Sequence, residues 1–222
     1  MCCIGIIRVM LKINFLGDSI TKGERATSPD KGFVSLVGKM LRIDVRNYGV
    51  SGTRFAIQKT PSSKPEYDRY FASRVDDMNH DADYIFIFGG TNDFGHGDAP
   101  IGKLGDKTCD TFYGAVDFLI NKLLTHYKKE QIVFIEPLYR TDEIVPYNHI
   151  KPFKHTMPEY REDLRKVLKE YDIELLDLKD RFGKAENNPL YFDHVHPNDE
   201  GHKKLAELIV EYIRSRQNGT GN

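Results

Sequence analysis

Tryptophan is absent from this chain, cysteine is scarce, and neither sign of charge dominates. The three cysteines are Cys2, Cys3 and Cys109. Two are adjacent and the count is odd, which excludes a disulfide framework and points to a reducing compartment. No flanking pattern marks Cys109 as a nucleophile. No stretch approaches the roughly 18 apolar residues of a membrane span. Lys and Arg number 32 against 33 Asp and Glu, for a net charge of -1, and no basic stripe stands out. A nucleic-acid partner is therefore not expected. The apolar segment from Met1 to Leu16 is broken by Arg8 and Lys12 and lacks a small-residue cleavage site before Gly17. It reads as a strand with a ragged lead, not as a signal peptide. Met10 is an alternative start that would make residues 1–9 dispensable. A cytoplasmic location follows from the missing signal and the few cysteines. The residues specify no oligomeric state.

What is present suits one domain of 222 residues with a large core. Segments of strand character fall at Leu11–Leu16, Tyr84–Phe88, Ile132–Ile135 and Ile173–Leu176, with a short and weaker pattern at Asp44–Gly49. Between them, apolar residues recur at helical spacing. The stripes include Phe33, Val34, Val37 and Met40, then Phe112, Val116, Leu119 and Leu123. Met157, Tyr160, Leu164 and Leu168 form another, and Leu205, Leu208 and Ile209 the last. A modest helix is expected over Tyr67–Met78, a glycine-rich surface loop over Phe94–Lys107, and a long connection over Glu136–Thr156. Asn198 is placed to cap the final helix, which should run to about Arg214, and residues 217–222 should fray. Strands alternating with helices predict a single α/β domain over 1–222, a three-layer α/β/α sandwich on a five-stranded parallel sheet.

The chemistry collects at strand ends. The first strand runs into Gly17-Asp18-Ser19, and the carboxyl end of a parallel strand is where such folds present reactive side chains. A serine there needs a base, an orienting acid and oxyanion donors to be a nucleophile. On its own, a serine after Gly-Asp reads as a turn or helix-cap residue. Three further pieces stand in comparable places: Gly52 after the second strand, Asn92 after the third, and Asp193-His194-Val195-His196-Pro197 before the last helix. Asp193, His194 and His196 read alternatively as metal ligands, but the spacing is not a standard ligand set. The Gly-x-Ser-x-Gly elbow does not occur, and Gly17 to Gly23 fails the phosphate-loop spacing.

The four blocks, in order and spread over residues 17–197, resemble the SGNH or GDSL-type hydrolases, a superfamily of esterases and lipases. The resemblance implies the flavodoxin-like fold of that superfamily and a Ser-His-Asp mechanism. Ser19 would attack the ester carbonyl, His196 would carry the proton and Asp193 would orient the imidazole. The backbone N–H groups of Ser19 and Gly52 and the Asn92 amide would face the oxyanion. It implies no metal and no organic cofactor. Asp18 and Asp93 then read as scaffold, Asp93 tying down neighbouring loop backbone.

The substrate expectation is a short-chain or acetyl ester of a small molecule or carbohydrate, since no long hydrophobic lid segment is present. Lipase, lysophospholipase or thioesterase activity is the alternative, and a non-catalytic carbohydrate- or ester-binding module the rival from another class. Arg54 is in reach of an anionic or polyhydroxy substrate. Tyr139, Tyr147 and Phe153 are candidates for the pocket wall. His96, His149 and His155 are assigned to loops as solvated or substrate-facing residues.

Overall fold

A computed structural model describes residues 10–145 and 155–219. Five strands form one sheet: β1 (Lys12–Gly17), β2 (Asp44–Gly49), β3 (Tyr84–Phe88), β4 (Ile132–Ile135) and β5 (Glu174–Leu176). All neighbours are parallel, in the order β2-β1-β3-β4-β5. The central strands are apolar on both faces because both are covered. Ile85, Ile87, Ile132 and Phe134 belong to one core. Phe86, Phe88, Val133 and Ile135, one residue out of step, belong to the other.

Helices α4 (Phe112–Leu124) and α5 (Met157–Glu170) bury their apolar stripes in the first core. Helices α2 (Phe33–Leu41) and α7 (Asp199–Gly219) bury theirs in the second. Short helices α1 (Ser19–Lys22), α3 (Thr91–His96) and α6 (Lys179–Phe182) follow β1, β3 and β5. No helix among the described residues is long and apolar enough to cross a membrane.

Three expectations need correction. The last helix runs on to Gly219, past the end expected near Arg214 and into the tail expected to fray. Residues 65–77 form two 3-10 turns, Pro65–Asp68 and Phe71–Asp77, instead of one helix. The predicted loop from Phe94 begins inside α3, so His96 is the last residue of a helix. Two ties from outside the helix hold this turn despite its glycine. Arg140 donates to the Thr91 carbonyl at 2.8 Å, and Asp93 accepts from the backbone of residues 55 and 56.

The chain leaves β1 towards β2 on one side and returns to β3 on the other. The connections therefore part above the carboxyl ends of β1 and β3, opening the crevice where such sheets bind ligands. Arg74 clamps the strand ends there. Its guanidinium, buried, donates to the Tyr48 carbonyl at 2.6 Å and to the Gly17 carbonyl and Thr53 hydroxyl at 3.1 Å. Burial pulls its pKa down to about 10, against the opposing attraction of Asp18.

Gly17 lets β1 turn into α1. A Cβ there would lie 1.9 Å from the Thr21 hydroxyl and 2.8 Å from the Phe88 carbonyl. Gly17→Ala should destabilise the protein by about 1–3 kcal/mol, the usual penalty of overpacking. Urea unfolding of the two proteins measures this, and equal midpoints would contradict it.

Candidate active site

Asp18 caps α1, its Oδ1 accepting from the Ile20 N–H at 2.9 Å. That cap starts the helix at Ser19 and fixes the direction of the serine side chain. Ser19 Oγ lies 2.9 Å from His196 Nε2. The other ring nitrogen, Nδ1, lies 3.0 Å from both oxygens of Asp193. A carboxylate only accepts, so Nδ1 carries the proton, and Nε2 of the neutral ring is the acceptor facing the serine hydroxyl.

Asp193 and His196 occupy a tight turn before α7, closed by a bridge between Tyr191 and Pro197. Asp193 Oδ1 makes the turn by accepting from the N–H of Val195 at 3.0 Å and of His196 at 2.8 Å. Burial opposes its charge. The His196 ring and the two N–H donors outweigh burial and hold this carboxyl well below the usual range. Arg25 approaches the same carboxylate, with Nε 3.3 Å from Oδ2.

Ser19, Gly52, Asn92 and His196 line one cavity of about 580 Å³. Gly52 has φ +74°, and a Cβ on it would sit 2.6 Å from the Tyr67 ring, so both conformation and space demand glycine. Its N–H and that of Ser19 have no backbone acceptor among the described residues. Asn92 gives one N–H to the Thr53 carbonyl at 3.0 Å, and its Oδ1 lies 3.1 Å from His96 Nε2. Asp93 ties the loop after Gly52 to α3, each carboxylate oxygen taking a backbone N–H at 3.0 Å, from Phe55 and from Ala56.

The expected substrate contact of Arg54 is not what the structure places. The side chain is 2% exposed and is not among the cavity lining. Its guanidinium donates to Asp68, Ser62, the Tyr67 carbonyl and His96. Tyr139 also points elsewhere, donating to Asp180 at 2.5 Å with Arg161 over its ring. Tyr147, His149 and Phe153 lie outside the described residues. His155 is held by Asp163 at 2.7 Å. Burial pushes the Cys109 thiol up to about 11, which leaves it a poor nucleophile.

The wall is instead built from Glu24, Arg25, Ser51, Ser62, Tyr67, Arg140 and Asp142, together with His96 and with His194 of the last block. Glu24, Arg25, Ser62, Tyr67, Arg140 and Asp142 carry no signal in the sequence beyond their position in the segments between elements. Among the described residues no group of three or more His, Cys, Asp or Glu is placed to hold a metal.

This protein is a hydrolase acting on ester bonds. The chain belongs to the GDSL-like lipase/acylhydrolase family, whose model matches residues 15–204. Among solved structures it is similar to a protein from Lactobacillus plantarum, at 25% identity over 93% of this chain and 97% of that one, TM-score 0.76. It is similar to an acetyl xylan esterase at 25% identity over 91% and 100%, TM-score 0.64. It also shares the fold of a lipase/acylhydrolase from Enterococcus faecalis, at 24% identity over 93% and 97%, TM-score 0.64. No curated protein matches it.

Two buried carboxyls beside the site give a pH signature. Burial pushes Asp18 and Asp93 up to about 6, in spite of the N–H groups that each accepts. A raised folded pKa means that the folded state holds the proton more tightly. The resulting stability is complete below the ordinary value of 3.8 and is lost as pH rises through about 6. Asp18→Asn keeps the cap and removes the titration. Its stability relative to wild type should therefore climb between about pH 4 and 6 and level off above. Urea unfolding at several pH values measures this; a constant difference would refute the assignment.

Proposed function

We propose that the protein is a serine esterase cleaving short-chain, chiefly acetyl, esters of small polar or carbohydrate alcohols, with Ser19, His196 and Asp193 as its triad. The observation that carries the reading is the hydrogen-bond chain from Ser19 Oγ through both nitrogens of His196 to Asp193. Ser19 Oγ bonds to the acyl carbon while its proton passes to His196 Nε2, and the carbonyl electrons move onto oxygen. Asp193 stabilises the imidazolium. Collapse of the tetrahedral intermediate breaks the bond to the alcohol, which leaves with the proton from Nε2. Water then attacks the acyl-serine by the same route, releasing the acid and restoring Ser19. The N–H groups of Ser19 and Gly52 and the free Asn92 N–H are the donors proposed for the oxyanion.

Support for a small, polar substrate comes from the wall. Hydroxyls of Ser51 and Ser62, the carboxylates of Glu24 and Asp142 and the guanidinium of Arg25 suit a polyhydroxy alcohol. Lipase and thioesterase readings require an apolar wall for a long chain, and few of the described lining residues are apolar. The acetyl xylan esterase resemblance points the same way.

Ser19→Ala should abolish hydrolysis of p-nitrophenyl acetate, and Asp193→Asn should lower kcat by about 10³–10⁴ by disturbing the imidazole tautomer. Both are read from initial rates. Undiminished turnover in Ser19→Ala would reject the triad and favour a binding module. Rates over p-nitrophenyl esters of increasing chain length should fall beyond butyrate, and acetylated xylose should be deacetylated. Rates that rise to long chains would favour the lipase reading.

A further inference from the structure

Asn92 and His96 stand four residues apart on α3, so their side chains share one face of the helix. His96 Nε2 lies 3.1 Å from Asn92 Oδ1, and His96 Nδ1 lies 2.8 Å from Arg54 Nη1. A guanidinium has no acceptor atom, so Nδ1 must present its lone pair to Arg54. The proton of the neutral ring is then on Nε2, and it is donated to the Asn92 carbonyl oxygen. This assignment also fixes the amide: Oδ1 faces His96, and Nδ2 faces the Thr53 carbonyl at 3.0 Å.

Behind the histidine, Arg54 cannot drift. Its guanidinium is buried and held by Asp68 at 3.0 Å and by the Tyr67 carbonyl at 3.1 Å. Asp68 is itself anchored by the N–H of Ser62 at 2.8 Å and by its hydroxyl. The chain Asp68–Arg54–His96–Asn92 thus runs from a half-buried carboxylate, through a buried guanidinium, to the amide at the cavity. Each hydrogen bond in such a chain polarises the next.

We propose that His96 and Arg54 are positioning residues that aim and polarise the Asn92 amide. Donation into Oδ1 draws electrons from Nδ2, so its remaining N–H becomes a better donor for a developing oxyanion. Both ring nitrogens of His96 are thereby engaged, although the residue is exposed at the cavity. The glycine-rich segment after the third strand therefore contributes to turnover through geometry, without touching the reacting atoms. This inference rests on the proposed role of Asn92 as an oxyanion donor.

The test is a double-mutant cycle with p-nitrophenyl acetate as substrate. His96→Phe keeps a flat aromatic ring, somewhat larger than the imidazole, and removes both nitrogens. It should lower kcat by about tenfold to a hundredfold, within the loss expected for Asn92→Ala, with little change in KM. In the Asn92→Ala background the same change should cost nothing further, because the group it positions is gone. His96→Gln, which offers one acceptor and one donor on a single carbon, should keep most of the activity. Arg54→Lys should behave like His96→Phe, and thermal melts establish that each variant is folded. His96→Phe within about twofold of wild-type kcat, or penalties that multiply in the double variant, would overturn the inference. Asn92→Ala at wild-type kcat, beside an inactive Ser19→Ala, would instead show that the reading of Asn92 itself is wrong.

Discussion

The hydrogen bond between Ser19 and His196 joins residues 177 apart in the chain. Everything between them has to be in place for it to form. Ser19 is delivered by β1, the middle strand of the β2-β1-β3 group, and His196 by the turn that precedes the last helix. Neither element touches the other through the sheet. A separate set of contacts brings them together. Asp199, at the start of α7, accepts from the Thr27 N–H at 2.8 Å, its hydroxyl at 2.7 Å and Lys31 at 2.6 Å. The buried His202 donates to the Glu24 carbonyl at 3.0 Å. These bonds pin the loop after α1 to the N-terminus of α7, and the serine and imidazole face each other as a result.

Two further loops are stitched on the opposite side of the cavity. Asp93 holds residues 55 and 56, Asn92 holds Thr53, and Arg74 holds the ends of β1 and β2. Each carboxylate or guanidinium here is buried and would be costly if left unpaired. Satisfying it requires the loops to sit where they do. The rigidity of the crevice is thus bound up with buried charge more than with apolar packing, which lies below in the two cores.

Much of this was legible in the chain itself. Five segments locate the strands, with Asp44–Gly49, Tyr84–Phe88 and Ile132–Ile135 matching to the residue, and the last two are covered on both faces and have no polar interruptions. Ser19, Gly52, Asn92 and His196 line one cavity because each follows or precedes an element end on the same rim of the sheet. Arg54 was misleading because the direction of a long side chain is set by partners remote in sequence, here Asp68 and His96. Tyr139 follows Asp180 for the same reason. The turn at Thr91–His96 was hidden by Gly95, since its helix is held by Arg140 and Asp93 against local propensity. Residues 65–77 are drawn into 3-10 turns by partners remote in sequence, Arg54 bonding to Tyr67 and Phe71, and Arg74 to the ends of β1 and β2.

The order of assembly has a bearing on synthesis. A chain made from its N-terminus carries Ser19 from the start, and Gly52 and Asn92 soon afterwards, while the imidazole arrives only at residue 196. Docking of α7 on the loop after α1 adds the Asp199 and His202 bonds that hold that imidazole against the serine. All five strands precede it. In the proposed mechanism, Ser19 therefore gains its base last, with the segment that leads into the final helix.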